Sequence, residues 1–419
     1  MKRRTVLAGA LAAPFVARAQ GAAQGTAHIA VVGGGFAGAT AARALALAGH
    51  QVTMIEADAQ YMSCPFSNPV LAGMRELEQQ RFGWDKVAAA GVKRVAARAT
   101  GVDGAARRVL LDGSAIEYDR LIMAPGVDMR LGEAPGALPG YDQAAAERMP
   151  HAWKAGPQTT LLRDQLRAMP DGGTVVMSVP ANPYRCPPGP YERASLIAWY
   201  LKNNKPRSKL LVLDAKDQFS KQKLFQQAWA QLYPGILEWV SLSDGGAVTG
   251  VDPAAMTLST DFTTHKADVA NVIPPQRAAA IAQAAGVADR TGWCPVDPVS
   301  FESRQVANIH IIGDAAMMGA MPKSAFAANA QAKVCAQAIT ALLAGQEPVT
   351  PRLINTCYSL VAPEYGISVA GVYKPVKGQL TDIDGAGGTS PMGVGPEFRA
   401  QEAAYADVWY RTITSSVFG

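Results

Sequence analysis

The sequence predicts an α/β protein with two domains built on parallel sheets and a smaller α+β domain at its C-terminal end. Two observations lead to this prediction. A buried strand at residues 28–32 runs into a glycine-rich turn and an alanine-rich helix, and a second buried strand at residues 172–179 begins a similar unit. The chain of 419 residues is 49% hydrophobic but only 7% aromatic, which suits a multidomain protein rich in Gly and Ala.

The first 19 residues predict a targeting signal that is removed from the mature protein. Residues 2–4 are basic, residues 5–16 form an apolar run, and Ala17–Ala19 offers a small-residue cleavage site. The pair Arg3-Arg4 favours the twin-arginine type, with a Sec signal as the alternative. The apolar run is too short to span a bilayer and no other stretch is apolar enough, so we expect a periplasmic protein without a membrane span.

The charge and the cysteines limit the classes of partner and ligand. Loss of the signal lowers the formal net charge from +5 to about +1, because four basic residues leave with it. No basic patch with interleaved aromatic residues remains, so nucleic acid is not an expected partner. The five cysteines show no spacing typical of metal ligands, which predicts no metal site, and the periplasm would permit disulfides.

The first domain begins with a dinucleotide-binding fingerprint. Gly33, Gly35 and Gly38 follow the first strand in the pattern G-x-G-x-x-G, directly before the alanine-rich helix. The first glycine allows a tight turn, the second lets the backbone approach a pyrophosphate, and the third packs the helix on the strand. Glu56 ends the next strand, 23 residues after Gly33, where an acid binds the ribose in such domains.

Two later strand ends indicate that the dinucleotide is FAD. One apolar strand ends in a Pro-Gly turn that contains Ala124 and Gly126, and a later one ends in Gly313-Asp314. Both resemble the later motifs of flavoproteins with two dinucleotide domains, in which the aspartate approaches the ribityl chain. An ordinary strand-to-helix turn with Asp314 as its N-cap is the alternative.

The middle of the chain has no second fingerprint. Its strand at residues 172–179 stands where an NAD(P)H-binding domain would begin, but residues 180–191 are rich in proline, which has no backbone N–H to offer a pyrophosphate. We therefore expect a Rossmann-like domain whose cofactor site is replaced by a loop carrying Cys186. The predicted units are the signal at 1–19, an FAD domain at 27–149 and 266–345, the second Rossmann-like domain at 150–265, and the C-terminal domain at 346–419.

Together these motifs resemble the flavoprotein subunit of flavocytochrome c sulfide dehydrogenase and the related flavoprotein of the sulfur-oxidation system. The resemblance covers essentially the whole mature chain and implies the fold of disulfide-reductase-like flavoproteins. It rests on residues 61–68, 183–191, 272–277, 292–297, 313–314, 355–359 and the terminal segment 409–419.

The resemblance implies roles for three cysteines. Cys64, in the loop after the second strand, matches a cysteine that forms a thioether to the flavin 8α carbon; a small buried side chain is the alternative. Cys186 and Cys357 match the members of a redox disulfide on one face of the flavin; a structural disulfide between two domains is the alternative. Cys294 and Cys335 are expected in the core.

The activity implied by the resemblance is the oxidation of sulfide. Hydrosulfide would attack the disulfide, leaving a persulfide on Cys186 and a thiolate on Cys357 next to the flavin, and sulfane sulfur or polysulfide would be released. The electrons would pass to a c-type cytochrome subunit, since the chain has no C-x-x-C-H motif of its own. Lys323 would lie near the pyrimidine end of the flavin, or else at the surface.

Competing functions make different demands on the sequence. A pyridine-nucleotide disulfide reductase would need a second glycine fingerprint and a closely spaced cysteine pair, and both are absent. A sulfide:quinone oxidoreductase would need an amphipathic membrane anchor at the C-terminus, whereas residues 399–419 carry four charged side chains among few large aliphatic ones. An accessory flavoprotein that acts on the thiols of a partner remains open.

Overall fold

The structure is a computed structural model that describes residues 26–419, and the predicted signal at residues 1–19 lies outside them. The helices of the described part are α1 Phe36–Leu47, α2 Asn68–Leu71, α3 Asp85–Ala89, α4 Gln143–Arg148, α5 Pro157–Ala168, α6 Gly189–Asn204, α7 Gln222–Leu232, α8 Ala280–Ala284, α9 Ala325–Leu343 and α10 Pro396–Val417. Its strands are β1 His28–Val32, β2 Gln51–Ile55, β3 Tyr61–Met62, β4 Arg81–Phe82, β5 Lys93–Val95, β6 Gly101–Asp103, β7 Arg108–Leu111, β8 Ser114–Glu117, β9 Arg120–Met123, β10 Val127–Met129, β11 Thr174–Val179, β12 Lys209–Asp214, β13 Leu237–Val240, β14 Val248–Asp252, β15 Thr257–Thr260, β16 Thr264–Lys266, β17 Val269–Val272, β18 Gln276–Ala278, β19 Cys294–Pro295, β20 Ile309–Ile311, β21 Ala316–Met317, β22 Leu353–Ala362, β23 Tyr365–Val376, β24 Gln379–Asp382 and β25 Gly388–Thr389.

The first domain is built on a five-stranded parallel sheet in the order β20-β9-β1-β2-β5. The inner strands β1 and β9 are apolar and buried almost throughout, as expected for a parallel sheet covered by helices. Helix α1 packs against α9, and both helices bury mainly alanine, whose small side chain lets helices approach closely.

The second domain has a four-stranded parallel sheet in the order β13-β12-β11-β17. Helix α6 follows β11 and α7 follows β12, as in successive β-α-β units. The predicted boundary at residue 265 lies too early in the chain, because β17 pairs with β11 and so belongs to the second sheet. A short, wholly buried strand with only one polar residue, Asn271, fits either parallel sheet, so the local sequence does not decide which one it joins.

The C-terminal part forms an antiparallel sheet of β22, β23 and β24, with β25 beside β23 and α10 packed across it. The predicted fold class is confirmed by these two parallel sheets and the α+β unit. Helix α10 also returns to the first domain, where Tyr410 stacks on Phe66 with ring centroids 4.7 Å apart and Phe418 stacks on Tyr61 at 4.8 Å. The end of the chain thereby covers the loop that carries Cys64. Within residues 26–419, no helix has both the length and the apolar character to cross a membrane.

Candidate active site

The turn between β1 and α1 has a backbone that requires glycine. Gly33 has a φ of +97°, and a Cβ atom there would lie 2.4 Å from the carbonyl oxygen of Ala124. A Cβ atom at Gly38 would lie 1.8 Å from the carbonyl oxygen of Gly33. Gly35 is the N-cap of α1, and Gly126, with a φ of +70°, turns the chain after β9. The first helix therefore begins close to the ends of β1 and β9, with its unpaired N–H groups available to phosphate.

The carboxylate of Glu56 lies on this turn. Its Oε2 accepts a hydrogen bond from the backbone N–H of Gly34 at 2.7 Å, and its Oε1 accepts one from Asp58 at 3.0 Å. The carbonyl oxygen of Gly34 accepts a bond from Trp84 Nε1 at 2.9 Å, which fixes the turn from its other side. A carboxylate oxygen can accept more than one hydrogen bond, so Glu56 can still bind ribose hydroxyls.

Asp314 holds a buried carboxylate at the end of β20. It lies in the short 3-10 turn Gly313–Ala315, and the N–H of Gly313 donates to Gln331 Oε1 at 2.8 Å. Asp314 Oδ1 is buried without a hydrogen-bond partner. Burial raises the pKa of this carboxyl, while Arg185 and Lys323 act to lower it. A buried acceptor with no partner calls for a donor from outside the chain, and a ribityl hydroxyl supplies one, so the residues present fit FAD.

Lys323 is buried, and the surface position left open by the sequence is therefore excluded. Its Nζ donates to the carbonyl oxygens of Asp314 at 2.9 Å and Ala316 at 2.7 Å, and it lies 4.0 Å from the ring centroid of Trp293. Burial lowers the pKa of Lys323 to about 8, although Asp314 and Cys294 act to raise it. This cation is placed to act on any charge that develops close to the Asp314 carboxylate.

Cys64 and Asp314 have the same arginine, Arg185, as a charged neighbour. The half-buried thiol follows β3, and the backbone N–H of Ala155 donates to its Sγ at 3.5 Å. Arg185 Nε lies 4.0 Å from Asp314 Oδ2. Burial would lower the pKa of Arg185, but the negative charges of Cys64 first, and then Asp314, raise it above its usual value. Cys64 and Asp314 therefore face one cation.

Sequence reasoning missed Arg185. Its guanidinium donates to the carbonyl oxygen of Trp153, and its backbone N–H donates to Gln276 Oε1 at 3.0 Å. A signal was present, because Arg185 is the only charged residue in the proline-rich stretch 180–191 and precedes Cys186 directly. A charged side chain in such a stretch must either reach solvent or meet a partner, and here it meets two acidic groups.

Cys186 is held in an unusual backbone conformation at the centre of the cluster. Its φ is +59°, its N–H donates to the carbonyl oxygen of Lys323 at 2.8 Å, and its carbonyl accepts from Gly189 at 2.8 Å. A Cβ atom at Gly189 would lie 2.9 Å from Cys186 Sγ, so the glycine makes room for the sulfur. A non-glycine residue with positive φ is a strained position of the kind found at functional sites.

Cys357 reaches the cluster from the C-terminal sheet. It lies on β22, where Asn355 Nδ2 donates to its Sγ at 3.4 Å. Asn355 Oδ1 in turn accepts from Ser324 Oγ at 2.6 Å, and Ser324 is the N-cap of α9, next to Lys323. The strand carrying Cys357 is thereby tied to the segment that binds the backbone of Cys186.

Cys186 and Cys357 are both free thiols in the structure, and they lie near enough for the charge of one to affect the other. Burial raises the pKa of Cys186, and the charge of Cys357 raises it further, more than any other neighbouring charge does. All five cysteines are free in the structure, so the bond between this pair stays a prediction. Cys294 and Cys335 are fully buried, as expected. Among residues 26–419, no group of His, Cys, Asp or Glu could hold a metal ion.

The second sheet closes the position that a nicotinamide dinucleotide would use. Asp214 ends β12, the equivalent of the strand end at which Glu56 stands, but its side chain is wholly buried. It accepts hydrogen bonds from Tyr191 OH at 2.6 Å, Lys216 Nζ at 2.6 Å and Trp239 Nε1 at 3.0 Å. The acid that would bind a ribose is therefore already occupied by side chains of the same domain.

Comparison with known families agrees with this geometry. Residues 159–274 match the family model of the central part of the sulfide dehydrogenase (flavocytochrome c) flavoprotein chain, and residues 349–418 match the model of its flavin-binding part. Residues 27–159 match the pyridine nucleotide-disulphide oxidoreductase model. The chain resembles the flavoprotein of flavocytochrome c sulfide dehydrogenase. The matches support an FAD-dependent oxidoreductase related to the sulfide dehydrogenase flavoproteins, as the sequence motifs predict.

Solved structures show the same fold at low sequence identity. The sulfide:quinone oxidoreductase of the hyperthermophilic bacterium Aquifex aeolicus is 15% identical, with a TM-score of 0.68 over 93% of this chain and 92% of that one. The covalent putidaredoxin reductase–putidaredoxin complex gives 18% identity and a TM-score of 0.63 over 93% of each chain. A ferredoxin reductase from Rhodopseudomonas palustris gives 17% identity and 0.59 over 82% of each.

Proposed function

We propose that this protein is a periplasmic, FAD-dependent sulfide dehydrogenase that passes electrons to a c-type cytochrome subunit. The observation that carries the proposal is that one segment binds the surroundings of both cysteines. The carbonyl of Lys323 accepts from the N–H of Cys186, and Ser324 donates to Asn355, which donates to Cys357 Sγ. The ammonium of Lys323 also binds the backbone of Asp314. A purely structural disulfide between two domains would not need to lie near the residues proposed to bind the flavin. The twin-arginine signal predicted for residues 1–19 supports the location, and the match to the flavoprotein chain of a flavocytochrome c supports a cytochrome partner.

The first domain would hold the cofactor. The N–H groups of the turn Gly33–Gly38 would bind the pyrophosphate, Glu56 the adenosine ribose, and Asp314 the ribityl chain. FAD bound there would supply the chemistry of accepting two electrons together and releasing them singly. Cys64 would be the point of covalent attachment, with Arg185 as its neighbouring cation.

The cysteine pair would carry out the sulfur chemistry. Hydrosulfide attacks one sulfur of the Cys186–Cys357 disulfide, the S–S bond breaks, Cys186 keeps the incoming sulfur as a persulfide, and Cys357 leaves as a thiolate. A second hydrosulfide removes the sulfane sulfur as hydrodisulfide and restores a thiol at Cys186. Re-forming the Cys186–Cys357 disulfide then releases two electrons and one proton, and it needs a two-electron acceptor, which is the chemistry that FAD held by Asp314 and the first turn would supply. Two sulfide ions are thus oxidised to one hydrodisulfide, with loss of two electrons and one proton.

A nicotinamide dinucleotide would be a poor alternative electron donor. The loop after β11 lacks N–H groups at its prolines, and Asp214 is blocked by Lys216, Tyr191 and Trp239. Both features disfavour pyrophosphate and ribose at the second sheet. NADH and NADPH are therefore disfavoured as the reductant.

The test uses purified protein loaded with FAD. Anaerobic sulfide should bleach the flavin, and oxidised c-type cytochrome should then be reduced in proportion to the sulfide consumed. A soluble quinone in place of the cytochrome, and a protein thiol in place of sulfide, separate the two alternatives left open by the sequence. Preference for quinone would favour a sulfide:quinone oxidoreductase, and bleaching by protein thiols alone would favour the accessory flavoprotein.

A further inference from the structure

Lys221 places an ammonium group beside the cysteine pair, in a role that the family motifs do not assign. It stands directly before α7 with a φ of +63°, and its side chain is buried. Its Nζ donates to the carbonyl oxygen of Cys357 at 3.0 Å, to Ser359 Oγ at 2.8 Å and to the carbonyl oxygen of Ile367 at 3.5 Å. One lysine of the second domain thus binds both β22 and β23 of the C-terminal sheet.

Lys221 binds the C-terminal sheet where that sheet docks on the second domain. Cys186 belongs to the loop after β11, whereas Cys357 belongs to β22, so the distance between the sulfurs depends on how the C-terminal sheet docks on the second domain. The only other lysine on the first turn of α7, Lys223, is exposed.

The charges around Lys221 are the two thiols and two carboxylates. Burial lowers the pKa of Lys221 to about 8, and the facing charges that raise it are, in order, Cys357, Glu192, Cys186 and Glu402. Glu192 is occupied by the N–H of Leu360 at 2.9 Å and by Asn68 Nδ2 at 2.8 Å. Glu402 accepts from Ser368 at 2.7 Å and Ser390 at 2.6 Å, and pairs with Arg399 at 3.3 Å. On its other side, Cys186 also faces Arg185.

Both carboxylates near Lys221 have hydrogen-bond partners of their own. The two thiols are the neighbours of Lys221 whose charge would change during the sulfur chemistry. An interaction between two charges is mutual, so an ammonium held on the carbonyl of Cys357 attracts any negative charge that forms at the cysteine pair. A thiolate released in a buried site is costly unless a cation or a hydrogen-bond donor lies nearby.

We propose that Lys221 is a positioning residue for the cysteine pair: it ties the strand of Cys357 to the second domain and stabilises the thiolate that forms when the Cys186–Cys357 bond opens. This inference rests on the proposed function, because it assumes that the pair cycles between disulfide and dithiol. A disulfide opens faster and is a stronger oxidant when the departing thiolate is stabilised. Lys221 would therefore tune the pair toward reduction by sulfide.

The experiment compares Lys221→Met, Lys221→Arg and the matched control Lys223→Met in the FAD-loaded protein. The equilibrium between disulfide and dithiol is measured at pH 7 in glutathione or dithiothreitol redox buffers, with the thiols trapped by alkylation. Lys221→Met should favour the disulfide about tenfold more than wild type does, which for a two-electron couple lowers the reduction potential by about 30 mV. Lys221→Arg should restore most of the difference, and Lys223→Met should match wild type.

The pH dependence gives a second readout that a purely structural role would not change. The reduction potential of the cysteine pair should be higher in the wild type than in Lys221→Met. This difference should shrink as the pH rises through about 8, because Lys221 then loses its charge. A wild-type potential in Lys221→Met, or an equal loss in Lys221→Met and Lys221→Arg, would overturn the proposal. If the Met variant does not fold, Lys221→Gln, which keeps a donor without the charge, should show the same tenfold change, and a wild-type potential there would equally overturn it.

The two proposals fail in different ways. If sulfide does not bleach the wild-type flavin, the proposed function is wrong, and the redox titration still reports on Lys221. If sulfide bleaches the flavin through the cysteine pair but the potentials of all variants agree, only the role of Lys221 is wrong.

Discussion

The turn after β1 and the turn after β11 each connect a buried parallel strand to a helix. The first turn presents backbone groups, whereas the second presents a cysteine side chain. In the first, Gly33 and Gly38 bring backbone close to backbone, and Glu56 at the next strand end keeps capacity for a ligand. In the second, prolines replace the glycines and Asp214 at the matching strand end is filled by neighbouring side chains. The loop after β11, where a nucleotide-binding turn would stand, carries Cys186 instead.

This difference shows how one fold can support a cofactor in one domain and a reactive cysteine in the other. A glycine turn exposes backbone donors, which suits a phosphate. A turn with prolines and a residue of positive φ exposes a side chain instead, which suits a sulfur nucleophile or its target. The following predictions test the two turns against each other.

The largest effect is expected from the cysteines of the second turn. Replacing Cys186 or Cys357 by Ser should lower sulfide-driven flavin bleaching by roughly 10³-fold or more, because the group that sulfide attacks is lost. FAD content and the circular dichroism spectrum should stay as in wild type, and Cys335→Ala, a buried change outside the site, serves as the control. Unchanged bleaching in both single variants would mean that sulfide reaches the flavin directly.

The glycines of the first turn should control FAD content. Gly38→Ala places a Cβ atom on the carbonyl oxygen of Gly33, and the overpacking should cost about 1–3 kcal/mol of stability and abolish FAD retention on gel filtration. Pro188→Ala in the second turn is the matched control and should retain FAD. If Gly38→Ala purifies with full FAD content, the first turn is not the pyrophosphate site.

Cys64 decides how FAD is retained after denaturation. Acid precipitation of the wild-type protein should leave yellow colour in the pellet, and Cys64→Ser should release it to the supernatant, because the thioether is lost. Cys294→Ala should behave as wild type, since that buried cysteine belongs to the core of the first domain. Flavin in the wild-type supernatant would show that Cys64 does not bind the flavin covalently and only contributes to packing.

Lys323 should shift the redox equilibrium of the flavin by a smaller amount. Lys323→Met should lower the flavin potential by about 30 mV, a tenfold change for two electrons, because a buried cation that favours added negative charge is lost. The pKa of Lys323 is about 8, so the difference from wild type should fade as the pH rises through that value. Spectroelectrochemical titration from pH 6 to pH 9 provides the measurement, and a difference that does not depend on pH would point to packing.

The smallest effect is expected from nicotinamide nucleotides at the second turn. NADH or NADPH should leave the flavin oxidised under anaerobic conditions, because the ribose position at Asp214 is occupied and the loop lacks N–H donors. Lys216→Ala should not create a response, since the prolines remain. Rapid bleaching by NADH would show that the second domain binds a nicotinamide nucleotide, and it would favour a pyridine-nucleotide reductase as the function.

Much of the first turn could be predicted from local sequence. The spacing of Gly33, Gly35 and Gly38, and the position of Glu56 on the next strand, are local features of one β-α-β unit, and the structure places them as the spacing requires. The sulfur site could not be predicted in this way. Cys186 and Cys357 stand far apart in the chain, and their pairing was implied only by resemblance to a known family.

Local sequence was sufficient to predict the strand-turn-helix units, the fold class and the lack of a second glycine fingerprint, because each depends on residues that are neighbours in the chain. Only the tertiary structure decided that β17 joins the second sheet, that Lys323 is buried, and that Arg185 faces both Cys64 and Asp314. It likewise decided that Lys221 crosses to the strand of Cys357. Burial and the approach of charges depend on how separate domains pack, and packing brings together residues that no local pattern relates.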